Sequence, residues 1–174
     1  DGSARCAAVS LGSFIDQSGR NVPQVVLRCE TCGHGITMPP IADIGSLYAG
    51  RTTQDFHPHD KRLTRSIKDV AFHIQVRRLL RQIGDKPASL LDYGCGSGQF
   101  TRILGSHLPG SIVTGSDFFD TPPPELKGGR YVGFSELEKN HGGFDMVLAL
   151  HVLEHDNSPR EFIRKLMRLV PPGG

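Results

Sequence analysis

Leu90-Leu91-Asp92-Tyr93-Gly94-Cys95-Gly96-Ser97-Gly98-Gln99-Phe100 is where a buried-strand pattern gives way to a helix pattern. The spacing predicts a strand over 88–93, a glycine turn, and a helix over 98–107. Glycines at 94, 96 and 98 permit positive φ and let a ligand come close to the backbone. The first turn of the helix presents unpaired N–H groups and the positive end of its dipole, which suits a carboxylate or a phosphate. Asp92 precedes the first glycine by two residues. A carboxylate repels a pyrophosphate and attracts an ammonium group. The third glycine also comes one residue early for the G-x-G-x-x-G dinucleotide pattern. The turn therefore fits a ligand bearing both an ammonium and a carboxylate better than it fits a nicotinamide dinucleotide.

Downstream of this stretch, strand and helix patterns alternate. Strands are predicted over 111–115, 130–134 and 144–150, and a helix over 159–169. Ser158 and Glu161 have the spacing of a capping box, Pro159 suits the first helical position, and Pro171 stops the helix. Phe162, Ile163, Leu166 and Leu169 give that helix an apolar face. Alternating strands and helices imply a parallel sheet covered by helices, with ligands bound at the carboxyl ends of the strands. Asp117 ends the second strand, 19 residues after Gly98. An acid so placed accepts hydrogen bonds from ribose hydroxyls, although taken alone it also reads as a turn residue. Phe118 beside it suits either an adenine ring or the core.

Upstream, Leu63, Ile67, Val70 and Ile74 recur at helical spacing, and Val76, Leu79, Leu80 and Ile83 continue an apolar surface. This predicts a helix over 60–83, with Asp60 as its cap and Gly84 as its C-terminal glycine. Its lysines and arginines read as a solvated face. Three zones result: a small cysteine-containing module over 1–40, a helical connecting segment over 41–86, and the alternating region over 87–174. Within the first zone, Val25-Val26-Leu27 reads as a strand. Cys29-Glu30-Thr31-Cys32-Gly33 has the spacing of a metal knuckle. With Cys6 it supplies three candidate zinc ligands, Cys6, Cys29 and Cys32; Ser3 stands where a fourth cysteine is expected. A zinc site and a metal-free remnant both remain open.

The chain has 174 residues, 37% hydrophobic, with 20 basic and 18 acidic side chains and a net charge of +2. That balance gives no pull toward nucleic acid or a membrane surface. No apolar run approaches the ~18 residues of a membrane span, and no secretory leader is recognisable. The expectation is a cytoplasmic protein, in which cysteines are metal ligands or plain small residues rather than disulfides.

Four stretches together carry a family resemblance. Leu90–Phe100 resembles the first motif of class I S-adenosylmethionine-dependent methyltransferases, and Gly115-Ser116-Asp117 their acidic second motif. Phe144-Asp145-Met146-Val147-Leu148-Ala149-Leu150-His151-Val152-Leu153-Glu154-His155 resembles the fourth-strand "FD-x-V … vlEH" motif of small-molecule methyltransferases. Arg168-Leu169-Val170-Pro171-Pro172-Gly173-Gly174 resembles the "lkPGG" turn that follows the next helix. The matches run in order over residues 88–174.

The resemblance implies an α/β, Rossmann-like parallel-sheet methyltransferase fold that binds S-adenosylmethionine and methylates a small-molecule acceptor. Gly94, Cys95 and Gly96 would line the methionine portion of the cofactor, and Asp92 its amino group. Asp117 would hold the ribose, with Phe118 against adenine, and Ser135 and Glu136 would lie near the base. Leu150 and His151 would face the reactive end. His151 suits a general base, or else a packing residue at a helix start; Tyr48 suits the site or the core. The first zone is similar to the zinc-ribbon-like module that precedes some of these enzymes. The family's fifth strand would begin after Gly174, so the sheet is expected to be C-terminally truncated. Strand 144–150 would then be an apolar edge covered by a second copy or a partner. A non-catalytic module that keeps the fold for binding or assembly is the rival reading.

Overall fold

The computed structural model is described over residues 7–15, 23–40, 62–126, 128–137, 139 and 143–172, with backbone alone for 62–64. Cys6, Tyr48 and Asp60 lie outside those residues. The chain divides into two compact units, Asp1–Ala49 and Gly50–Gly174.

In the first unit, β1 (Ala8–Ile15), β2 (Pro23–Cys29) and β3 (Gly35–Met38) form an antiparallel sheet in that order. The predicted run Val25-Val26-Leu27 lies in β2. A bulge between Ser10 and Gly12 bends β1. The β2–β3 turn is the cysteine knuckle. Gly33 adopts φ 73 and its N–H donates to Cys29 O at 2.9 Å, while Cys29 N–H donates to His34 O at 2.8 Å. The turn thus needs glycine for its backbone.

In the second unit, α1 (Arg62–Gln82) is followed by β4 (Ser89–Tyr93), α2 (Gln99–His107), β5 (Ile112–Asp117), β6 (Arg130–Gly133), α3 (Phe134–Leu137), β7 (Met146–Leu148) and α4 (Pro159–Met167). Short 3₁₀ turns occupy Pro124–Leu126 and Leu153–His155. The sheet is wholly parallel, in the order β6-β5-β4-β7. The chain steps outward from β4 to β6, then returns to pair β7 on the other side of β4. The strand order reverses at β4, and ligands in open α/β sheets bind at such a switch point. The predicted parallel-sheet α/β class is therefore what the chain adopts, with the glycine turn at the carboxyl end of its central strand.

Alternation along β4 explains why its sequence reads as a continuous apolar run. Leu90 faces one core with Val76, Phe100, Ile103, Leu104, Leu108 and Leu148. Leu91 and Tyr93 face the other with Leu137, Phe162 and Leu169. A strand covered by helices on both faces has no polar side.

Five local expectations are corrected. On α1, the expected row is solvent-facing: Ile67, Val70 and Ile74 are 62%, 60% and 46% exposed. Its packed face is Val76 with Phe72, Leu79 and Leu80, so the helix expected as a connecting segment contributes to the core of the second unit. Gly84 does not take the left-handed conformation of a C-cap glycine. At the start of α4, Ser158 occupies the cap position but its side chain makes no cap bond. Asp156 Oδ1 accepts the Ser158 N–H at 2.6 Å, and Glu161 pairs with Arg164 instead of reaching back. Ile163 lies outside the packed face of α4 and is exposed. Finally, β7 is shorter than expected: Leu150 leaves the ladder and His151 takes φ 56. As predicted, β7 lies at an edge of the four-stranded sheet.

Candidate functional site

Gly94, Gly96 and Gly98 take φ 78, 54 and 77, so the turn uses the left-handed region three times. Their Cα faces meet different surroundings. A Cβ on Gly94 would stand 2.5 Å from Val152 Cγ2, and one on Gly98 2.5 Å from Leu126 Cγ. Both glycines admit the protein's own side chains. A Cβ on Gly96 would meet nothing within 4 Å. All three were expected to admit a ligand; of the three, only Gly96 opens its Cα face onto free space.

The turn is fastened to β5. Gly94 N–H and Cys95 N–H both donate to Ser116 O, at 2.8 and 3.0 Å, and Gly96 N–H donates to Asp117 Oδ2 at 2.6 Å. Asp117 Oδ1 accepts the N–H of Phe118 at 2.7 Å. Burial raises the Asp117 carboxyl above its ordinary value, and these two backbone donors counter it. Each carboxylate oxygen keeps a further lone pair for a hydroxyl donor.

Asp92 pairs across the ladder with Gly115, two residues before Asp117 on the adjacent parallel strand. Side chains two apart on a strand share a face, so both acids stand on one side of the sheet at its carboxyl end. Asp92 is only 3% exposed. Its Oδ2 accepts the Thr101 hydroxyl at 2.5 Å. Burial pushes its carboxyl up to about 6; the Thr101 bond lowers it and the Asp117 charge raises it. Below the turn, the Ser116 hydroxyl oxygen is buried and has no hydrogen-bond partner among the described residues. Cys95 is buried against Gly115, and burial raises its thiol far above the ordinary range, which keeps it neutral.

Phe118 is exposed and meets Phe134 edge-on, with centroids 4.9 Å apart. Phe134 in turn stacks on Tyr93 at 4.3 Å, with Lys165 Nζ 5.8 Å from the Tyr93 centroid. Sequence reasoning missed Phe134 as part of this surface and the buried Tyr93 as the ring that supports it; Tyr93, inside the first motif, was the available signal. Ser135 and Glu136 follow on α3 and are exposed, with Ser135 Oγ 3.2 Å from Asp120 Oδ1.

Leu150 packs half-buried against the first core. His151 projects into solvent, 88% exposed, with Nδ1 3.5 Å from Glu154 Oε1. His155 is exposed as well. A second missed group ties α1 to the start of α2. Asp69 accepts from Gln99 Nε2 and from Arg102, both at 3.0 Å. Glu125 accepts from Arg65 and from Arg102 Nε.

In the first unit, Cys29 is disulfide-bonded and Cys32 is free and exposed. Among the described residues no three His, Cys, Asp or Glu side chains converge on a point that could hold a metal. A disulfide sulfur carries no thiolate to offer zinc.

The model of a methyltransferase domain family matches residues 65–174, well over half of the chain. The chain belongs to this methyltransferase family. Curated relatives include a ubiquinone biosynthesis O-methyltransferase of Pseudomonas paraeruginosa, 34% identical over 97 residues, or 49% of this chain and 41% of that protein. One from Maricaulis maris is 34% identical over 103 residues, 52% of this chain and 41% of that protein. The chain thus spans well under two thirds of these relatives. Among solved structures, the magnesium protoporphyrin IX methyltransferase of Synechocystis PCC 6803 with bound S-adenosylmethionine is similar at 20% identity and a TM-score of 0.49. The likeness covers 75% of this chain and 73% of that one. Membership in the family agrees with the four motifs and with the switch-point placement of the methyltransferase's glycine turn.

Proposed function

We propose that this methyltransferase binds S-adenosylmethionine at the carboxyl ends of β4 and β5 and transfers its methyl group to a small-molecule acceptor. One observation carries the reading. Two buried carboxylates, Asp92 and Asp117, stand on one face of adjacent parallel strands, and Asp117 accepts the N–H of the one turn glycine whose Cα faces open space. Buried carboxylates with raised proton affinity, with no basic side chain among the causes of the shift, are costly to keep and concentrate at functional sites. The residues fit the cofactor. Asp92 offers a carboxylate to its ammonium, Asp117 offers lone pairs to its ribose hydroxyls, and Phe118 with Phe134 offers aromatic surface to its base.

S-adenosylmethionine, when bound, supplies an electrophilic sulfonium methyl. The protein's part is to align an acceptor with that methyl and to exclude water. At the end of β7, His151 takes the proton from an acceptor hydroxyl through Nε2, and Glu154 beside Nδ1 stabilises the imidazolium that forms. A hydroxyl acceptor agrees with the O-methyltransferase names of the curated relatives.

The cytoplasmic assignment implies a reducing compartment, and the zinc reading requires a reduced Cys29. Metal content after purification with and without reductant decides the zinc reading. Zinc bound at one equivalent under reducing conditions supports it, and its absence there removes zinc from Cys6, Cys29 and Cys32.

Isothermal titration of the full-length protein with S-adenosylmethionine tests the main reading. We expect saturable one-site binding that Asp117→Ala weakens by about a hundredfold, the loss of two hydrogen bonds to a charged acceptor. A full-length protein that takes up no S-adenosylmethionine overturns the proposal.

A further inference from the structure

Asp92 is a half-satisfied group. Its carboxylate is almost wholly buried, and among the described residues its sole hydrogen-bond donor is the Thr101 hydroxyl, which reaches Oδ2. Among the described residues Oδ1 has no donor, yet it is not sealed off as the Ser116 hydroxyl is, so a donor can reach it from outside; a carboxylate this deeply buried with a single donor is costly until a second arrives. Thr101 is itself 2% exposed and sits in the first turn of α2, one turn past the Gly98 that opens the helix. Burial and the bond to Asp92 hold the hydroxyl in place before any ligand arrives.

We propose that Thr101 is a positioning residue for the cofactor site: its hydroxyl pins one oxygen of Asp92 against α2, so that the other is held for the cofactor's ammonium group and the carboxylate stays ionised. The inference rests on the reading of Asp92 given above. A threonine here could otherwise be dismissed as filling. Valine has nearly the same volume and no hydroxyl, so a residue chosen for volume alone would be replaceable by valine without effect on Asp92. The chemistry differs. Removing the donor leaves the ionised carboxylate with no partner in a low-dielectric site, and it takes up a proton instead. A protonated Asp92 no longer attracts an ammonium, and a freed side chain no longer presents its second oxygen in one orientation.

The test uses two variants, Thr101→Val and Thr101→Ser, and two readouts. Carboxyl-carbon NMR titration of Asp92 in the cofactor-free protein reads the pinning directly. Asp92 should titrate near 6 in the parent. Its titration should move up by about one unit or more in Thr101→Val and return toward the parent in Thr101→Ser. Calorimetric titration with S-adenosylhomocysteine, which keeps the ammonium and carboxylate, reads the consequence. At pH 7 the valine variant should bind about tenfold more weakly, and its affinity should begin to fall at a higher pH than the parent's. The serine variant should bind like the parent. Circular dichroism verifies that both variants fold; if valine does not, the serine and alanine variants bracket the hydroxyl. An Asp92 titration unmoved by valine overturns the role of Thr101, whatever the cofactor does. A moved titration with unchanged affinity at every pH shows that Thr101 holds a carboxylate the cofactor does not use, and overturns the proposal on its other side. Absence of any binding by the parent removes the cofactor reading itself, while the NMR arm still reports on the Thr101–Asp92 bond.

Discussion

At the level of single residues, the chain keeps an unfavourable group where its proposed function needs one. The Asp92 carboxyl is raised from 3.8 to about 6, with burial as the largest cause. Its folded form holds a proton more tightly than the unfolded chain does. The penalty is therefore absent below about pH 4, grows as pH rises toward 6, and is complete above it. Two units correspond to about 3 kcal/mol. Asp92→Asn retains an acceptor for the Thr101 hydroxyl and carries no charge. Chemical denaturation should find the asparagine variant more stable by about 2–3 kcal/mol at pH 7, with the gain gone by pH 4, while its affinity for S-adenosylhomocysteine falls. A variant no more stable at pH 7 than the parent would mean that the carboxylate is better solvated than its burial implies. This residue was legible in the sequence, because an acid two places before a glycine turn has a specific electrostatic meaning. The division of labour among the three glycines was not. Nothing in Gly94-Cys95-Gly96-Ser97-Gly98 tells that Val152 will fill the space beside Gly94, or that Leu126 will fill the space beside Gly98. Those neighbours arrive from 28 or more positions along the chain, and only the fold brings them there.

Among the elements, the strands and helices of the second unit were legible because each carries a period and a boundary signal that agree. The exceptions share a cause. Two apolar series interleave along α1, one through Ile67, Val70 and Ile74 and one through Phe72, Val76, Leu79 and Leu80. Periodicity finds both and cannot choose. Contact with α2 chooses, through Phe72 edge-on to Phe100 at 5.5 Å and Val76 fully buried. The same contact brings His73 Nδ1 within 2.8 Å of His107 Nε2, which no helical pattern could announce. Burial first, then His73 and Arg77, hold the His107 imidazole below its ordinary 6.5. On acidification the unfolded chain takes up a proton at this position before the folded one does. Any stability linked to His107 is therefore full above about pH 6.5 and lost as pH falls below it. The α1–α2 seam should loosen in that window. His107→Gln removes the titration, so the parent should lose more thermal stability between pH 7 and pH 5 than the variant does. Parallel melting curves at the two pH values measure the difference. The carboxylates with lowered proton affinity, Asp69 and Asp145, act below pH 4 and do not enter this comparison.

For the whole molecule, the cysteines report on the two units separately. Cys95 is buried in the glycine turn, with a thiol driven upward by burial and by the neighbouring Asp117 and Asp92. Both exposure and thiolate character are needed for alkylation, so Cys95 should react only through unfolding of the second unit. Cys32, free and exposed in the first unit, should react at once. Cys29 should react only after reduction, since its sulfur is in a disulfide. Iodoacetamide labelling of the native protein followed by peptide mass spectrometry reads all three positions in one experiment. Adding cofactor sharpens it. A ligand that binds only the folded state reduces the open population by a factor of one plus its concentration over Kd, about a hundredfold at a hundred times Kd. Saturating S-adenosylhomocysteine should therefore slow labelling of Cys95 by about that factor and leave Cys32 unchanged, because the proposed site lies wholly within the second unit. Protection of both cysteines would mean that the cofactor couples the two units. Protection of neither would mean that the glycine turn holds no ligand. Fast labelling of Cys95 without denaturant would contradict the packing around Gly115 on which the placement of both acids depends.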